Sequence, residues 1–274
     1  MPAKHLYINR AYTEDDDEVN YDNSFVYNNI EHVNQYFEHY LTEEEILPDA
    51  LNSYYVDYYL AQLENGGFSQ FVYNSGWHSH IVSAIRRGMK DMGAKRHSAL
   101  FEEAAALFDR MSDEEKTAFF ESGYFGDNQE RDLLDQISDR IFQLNEEEDL
   151  WRKNEDFLRR HPKLTLVGRE EFEKILEAAQ NALPDLAERQ KQAAENAPRY
   201  YKIIDLLCRE AGQSLDRITA GDYCDYEGRE MLAWHFITDR GHYYMVDLGD
   251  TAVMVNGESG KAAAQADISR LPQD

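Results

Sequence analysis

Nine histidines and two cysteines are the side chains of this sequence best suited to metal binding or nucleophilic chemistry. His78 and His80 form the closest histidine pair, but positions two apart on a helix point to different faces, so a shared metal is not expected. The sequence contains no CxxC, HExxH or GxSxG pattern. His32 and His39 are seven apart and share a predicted helix face, but no third ligand has suitable spacing. We therefore predict no metal site, no cofactor and no catalytic residue.

An enzyme is nevertheless an alternative hypothesis, because catalytic residues can converge from distant positions. Its site would lie in a cleft between two domains, with His78, His235 and Asp247 as candidates. A polar pocket with converging groups of shifted pKa would favour this alternative.

A glycine pair lies in the segment ENGGFSQFVYNSGW, residues 64–77. A phosphate-binding loop needs glycines that open a helix after a strand, together with a lysine. Here the glycines follow a predicted helix, and residues 5–89 contain no lysine. The segment therefore predicts a hinge, with Phe68 and Phe71 in the core and with Gln70 and Asn74 hydrogen-bonded to loop backbone.

Acidic residues dominate the charge of the chain, which is −25 over 274 residues. Residues 1–50 carry −10 and residues 101–150 carry −12, whereas residues 51–100 carry +2. Such a charge disfavours direct binding to nucleic acid or to an anionic membrane, and favours basic proteins as partners.

The second acidic block contains carboxylates at helical spacing. Asp132, Asp135 and Asp139 are three and four apart, which predicts one face of one helix. At about 1.5 Å of rise per residue, successive carboxylates advance about 4.5–6 Å along the helix axis. This spacing coarsely imitates that of DNA phosphates, which repeat about every 3.4 Å per strand. We expect a partner-binding surface formed by Asp132, Asp135, Asp139, Glu146, Glu147, Glu148, Glu43 and Glu44. The alternative is that these acids only keep the protein soluble or stabilise helix N-termini.

The apolar pattern predicts a mainly α protein. Residues 1–23 read as a flexible acidic N-terminus, and residues 24–162 as an all-helical domain with apolar residues at three- and four-residue steps. Residues 163–274 predict a smaller α+β domain, with helices near 168–181 and 185–211. An antiparallel sheet follows, with strands at 231–238, 242–248 and 251–255 and a hairpin turn at residues 239–241.

The expected compartment is the cytoplasm. The N-terminal residues lack the apolar stretch of a secretory signal, and no run approaches the roughly 18 apolar residues that span a bilayer. Two cysteines are too few for a disulfide framework.

The pattern NGGFxQF at residues 65–71, followed by Met92-Gly93-Ala94 and by a helix ending at His161-Pro162, resembles a bacterial family of helical domains. That family is a domain of unknown function named after an acidic DNA-mimic protein. The resemblance covers about residues 46–162. It implies an all-helical fold, a homodimer as one assembly, and binding to a DNA-binding protein in place of DNA.

We therefore expect a non-enzymatic interaction protein that binds and regulates a basic nucleic-acid-binding protein. A close variant of this hypothesis is an immunity or antitoxin protein that binds a basic nuclease toxin.

Overall fold

The computed structural model describes residues 2–13, 23–121 and 129–272. The chain forms two compact units, Met1–Leu186 and Ala187–Asp274. The mainly α fold class is confirmed. None of the helices described is long and apolar enough to cross a membrane.

The first unit is built around one long helix, α2, which packs against α1, α3, α6, α7 and α8. Ser24 caps the first helix, because its side chain accepts a hydrogen bond from the Tyr27 N–H. Aromatic rings fill the core between the helices, among them Tyr59, Phe101 and Phe108. The helices are α1 Phe25–Glu38, α2 Pro48–Ser75, α3 Ser79–Asp91, α4 Lys95–Asp109, α5 Asp113–Glu121, α6 Gln129–Asp135, α7 Ser138–Glu147, α8 Leu150–Arg159 and α9 Arg169–Asn181.

Helix α2 is broken in its second half by the glycine pair. Gly66 has φ −169° and ψ 24°, and Gly67 has φ 82° and ψ −172°, after which the helix resumes. The predicted hinge is confirmed, as is the burial of Phe68 and Phe71, each 0% exposed. The expected bonds to loop backbone were wrong. Gln70 and Asn74 instead donate from their side chains to the side-chain oxygen of Gln62, at 3.1 and 2.6 Å.

Two short strands join the ends of the first unit. Strand β1, Leu6–Asn9, pairs in parallel with β2, Leu164–Val167. The sequence predicts a flexible lead-in at residues 1–23 and a domain boundary at 162. In the structure residues 6–9 of this lead-in form β1, and the first compact unit extends to Leu186. Alternating burial explains the difference at the N-terminus, because Leu6 and Ile8 are buried in the core. The acidic stretch at residues 14–18 lies outside the described residues.

The second unit consists of two helices and an antiparallel meander of five strands in sequential order. Helix α11 packs on the sheet, and Ile204, Leu207, Phe236 and Met245 belong to a second apolar core. The hairpin turn between β4 and β5 is confirmed, with Thr238 paired to Gly241. The elements are α10 Leu186–Asn196, α11 Arg199–Ala211, β3 Leu215–Tyr226, β4 Arg229–Thr238, β5 Gly241–Asp247, β6 Thr251–Asn256 and β7 Ala262–Asp267.

Candidate functional site

The candidate site is the set of acids predicted to bind a partner. The structure shows that some of these carboxylates bond to other residues of the protein, whereas others are exposed on the surface. The single helix predicted to carry Asp132, Asp135 and Asp139 is two helices, because α6 ends at Asp135 and α7 begins at Ser138 after a turn. The three aspartates therefore do not form one ladder on one helix face.

Asp135 faces inward, toward the break in α2. Its carboxylate accepts hydrogen bonds from the Ser69 N–H at 3.0 Å and from the Ser69 hydroxyl at 2.8 Å. The hydroxyl of Ser138 accepts from the Phe68 N–H at 2.9 Å. These two side chains satisfy backbone donors that the break in the helix leaves without intrahelical partners. Asp135 thus acts as a helix cap, and its carboxylate is already engaged within the protein.

The other two aspartates of this block lie on the surface. Asp132 pairs with its neighbour Arg131 at 3.0 Å while its side chain stays 69% exposed. Asp139 is exposed in the first turn of α7, where the helix dipole favours a negative charge.

The acids between α7 and α8 differ in their contacts. Glu146 is exposed. Glu147 pairs with Arg96 at 2.7 Å, and Glu148 pairs with Lys153 at 3.3 Å. Asp149 caps α8 by accepting from the Arg152 N–H. Of these four acids, Asp149 caps a helix, Glu147 and Glu148 form ion pairs, and Glu146 is an exposed carboxylate without an ion pair among the described residues.

The N-terminal acids also divide. Glu43 accepts a hydrogen bond from the Tyr55 hydroxyl and lies 3.4 Å from His80. Burial of the phenol and the nearby Glu43 carboxylate raise the pKa of Tyr55, so this hydroxyl stays protonated and donates. Glu44 is exposed.

The candidates for an enzyme site are placed as follows. The rings of His78 and His80 stack with centroids 5.6 Å apart. His235 lies beside His242, with Nδ1 and Nε2 3.1 Å apart, and Asp247 pairs with Arg199 at 3.2 Å. Among the described residues, no group of three His, Cys, Asp or Glu side chains is arranged to hold a metal ion.

Sequence reasoning did not single out a cavity of about 640 Å³ in the first unit, between α1 and α9. His32 and His39 both line it, as their shared helix face predicted, together with Glu31 and Glu38. The seven-residue spacing in both pairs was the available signal. The residues that α9 adds to the cavity could not be predicted from sequence spacing, because they come from a distant part of the chain.

Comparison with known proteins matches part of the chain to a protein family. Residues 44–161 match the family model described as DMP19-like protein. The matched part covers less than half of the chain and runs from the turn before α2 to the residues just after α8. It includes every predicted partner-binding acid except Glu43. Neither the curated proteins nor the solved structures give a significant match.

Proposed function

We propose that this protein is a non-enzymatic acidic protein that binds a basic nucleic-acid-binding protein and regulates it by occupying its DNA-binding surface. The observation that carries the proposal is the match of residues 44–161 to the DMP19-like family. The net charge of −25 supports it, because positive surfaces built to neutralise phosphates are attracted to dense carboxylates.

The exposed carboxylates of the matched region are the proposed contact groups. Asp132, Asp139 and Glu146 are all exposed. In the part of the chain that the structure describes, none of them accepts a hydrogen bond from the backbone of another helix, as Asp135 does from Ser69. A basic partner would pair with these groups without breaking a hydrogen bond that holds two helices of the first unit together. Glu44, exposed in the turn before α2, extends the proposed surface.

The test begins with affinity capture at low salt from a bacterial lysate, elution in a salt gradient and identification by mass spectrometry. The expected partner is a basic nucleic-acid-binding protein that elutes late. Purified partner should then be released from the complex by its own DNA or RNA, because both would occupy one surface. A captured protein that nucleic acid does not displace would contradict mimicry.

Charge variants test the surface itself. The triple variant Asp132→Asn, Asp139→Asn, Glu146→Gln should weaken binding about tenfold and flatten its salt dependence, because each exposed ion pair contributes about 0.2–1 kcal/mol. The matched control is Glu227→Gln, Glu230→Gln, Glu258→Gln, which removes the same charge from exposed positions of the second unit. Equal losses in both variants would show that only net charge matters.

A further inference from the structure

The cavity between α1 and α9 has a floor of two stacked rings. The imidazole of His32 lies on the ring of Phe172, with centroids 3.5 Å apart and an angle of 15° between the planes. His32 is 6% exposed and Phe172 is 3% exposed, and both line the cavity. Both residues lie outside the region matched by the family model.

His32 contributes a hydrogen-bond acceptor at this floor. Its Nδ1 lies 2.9 Å from the Tyr7 carbonyl oxygen, so Nδ1 carries the proton and donates. Burial lowers the pKa of His32 to about 4, so the ring is neutral at pH 7 and Nε2 keeps its lone pair. Within the described residues no donor bonds to this nitrogen. A polar side chain that is more than nine-tenths buried thus lines the cavity with one acceptor unused.

Glu31 is held in place at the wall. The Tyr12 hydroxyl and the Asn28 side-chain amide both donate to its Oε2, each at 3.2 Å. Burial and the neighbouring Glu31 raise the pKa of Tyr12 to about 12, which keeps this phenol a donor. Because both donors bond to one oxygen, Oε1 is oriented and available for an incoming donor.

The rim of the cavity adds negative charge from both helices. Glu38 on α1 and Glu177 on α9 are exposed, and Glu173 pairs with Arg169 at 3.2 Å. Glu31 and Glu38 are seven residues apart, so their positions differ by about 10 Å along the helix axis. The lining therefore carries four glutamates against one arginine, together with the neutral ring of His32.

We propose that this cavity binds a guanidinium group, from a small guanidino compound or from an arginine side chain. The lining is rich in acceptors and net negative, which selects a cation that carries only donors. Guanidinium is planar and weakly hydrated, and it packs readily against aromatic rings such as the floor of this cavity. A volume of about 640 Å³ lies within the ordinary range of small-ligand sites. The proposal does not depend on the proposed DNA mimicry.

Calorimetric titration of the full chain tests the proposal with N-acetylargininamide and N-acetylcitrullinamide. The two probes are nearly isosteric and differ in that the second has a neutral urea in place of guanidinium. Saturable binding of the first with a Kd below about 1 mM, and at least about tenfold weaker binding of the second, is expected. No saturable binding of the arginine probe, or equal binding of both, would overturn the proposal.

Variants place the binding in this cavity. Glu31→Gln should weaken binding of the arginine probe at least about tenfold, since a hydrogen bond to a charged group is lost. Glu177→Gln, at an exposed rim position, should weaken it about twofold or more without affecting the fold. The matched control, Glu258→Gln, removes the same charge from an exposed position of the second unit and should leave the affinity unchanged. Equal effects of all three would refute a site between α1 and α9.

The source of the guanidinium is resolved by a third probe, the blocked tripeptide Gly-Arg-Gly. Affinity equal to that of N-acetylargininamide indicates a small free ligand, because flanking backbone then adds nothing. Affinity at least about tenfold tighter indicates an arginine presented by a peptide chain.

Discussion

The carboxylate of Asp135 accepts both the N–H and the hydroxyl of Ser69, although the two residues are 66 positions apart in the chain. This contact ties the end of α6 to the point where α2 resumes after its glycines. It gives the acid a structural role in a position where the sequence suggested a surface charge. The consequence is that Asp132 and Asp135, three residues apart, should respond very differently to substitution.

Asp135→Ala should lower the free energy of unfolding by about 2 kcal/mol, because two hydrogen bonds at a helix N-terminus are lost in a half-buried place. Asp132 lies in the same short helix, so Asp132→Ala makes the same change in helix propensity. It should lower the free energy of unfolding by less than about 0.5 kcal/mol, because its ion pair is on the surface. Urea denaturation followed by circular dichroism measures both. Similar values for the two variants would argue against the cap.

Gly67→Ala should destabilise the protein by about 2–4 kcal/mol, for two reasons. The backbone has φ 82° and ψ −172°, which an L side chain rarely adopts. In addition, a Cβ atom would lie 2.7 Å from Asp135 Oδ1 and 2.9 Å from Ser138 Oγ.

Gly93→Ala is the control for Gly67→Ala, because Gly93 also has positive φ, 70°, but a Cβ atom at this position would meet no described atom within 4 Å. Backbone strain alone should cost this variant about 1–2 kcal/mol. The midpoint of thermal unfolding should therefore fall further for Gly67→Ala than for Gly93→Ala. Equal midpoints would show that the contact with α6 and α7 contributes nothing.

Much of the fold could be predicted from local signals in the sequence. The three- and four-residue apolar steps identified most helices of the first unit, and the Ser112–Glu115 capping box forms as its spacing indicates. The predicted helix at 185–211 is two helices, because Pro198 lacks a backbone N–H. Strand β3 was missed, since its exposed, polar residues lack the alternation that marks a half-buried strand.

The candidate site was predicted less well, because its details depend on contacts between distant residues. Helical spacing alone cannot reveal that Asp135 bonds to Ser69, or that Glu43 accepts from Tyr55. The pairing of β1 with β2 was also beyond local pattern, since parallel strands at opposite ends of a unit leave no hairpin signal. Partner binding by the exposed acids stays a prediction.

Stability should depend on pH through His32. Burial lowers its pKa to about 4 in the folded protein, below the ordinary value of 6.5. The unfolded chain therefore binds a proton that the folded chain does not, and stability falls as the pH is lowered from about 6.5 to about 4, with a limiting slope of about 1.4 kcal/mol per pH unit. Burial lowers the pKa of His97 as well, so it adds to the loss.

His32→Asn isolates the contribution of this ring, because the asparagine amide can still donate to the Tyr7 carbonyl oxygen. Unfolding free energies of both proteins at pH 4.5 and pH 7 should show a smaller decrease for the variant, by about 2 kcal/mol. Parallel pH profiles would mean that His32 titrates normally in the folded state.

Glu155 offers the sharpest comparison between neighbouring acids. It is 3% exposed, accepts from the N–H groups of Phe25 and Val26 at 3.2 and 3.0 Å, and pairs with Arg159 at 2.7 Å. It thus provides the negative charge at the N-terminus of α1 from a different helix. Asp156, the next residue, is 60% exposed and pairs only across the surface with Arg160.

Glu155→Gln should reduce the free energy of unfolding by about 2–4 kcal/mol, since it removes a buried charge that Arg159 and two backbone donors share. Asp156→Asn should change it by less than about 0.5 kcal/mol, because its ion pair is solvated. Amide hydrogen exchange should localise the loss, with faster exchange in α1 for the first variant and not for the second. Unchanged protection of α1 in Glu155→Gln would show that this carboxylate does not hold the helix terminus.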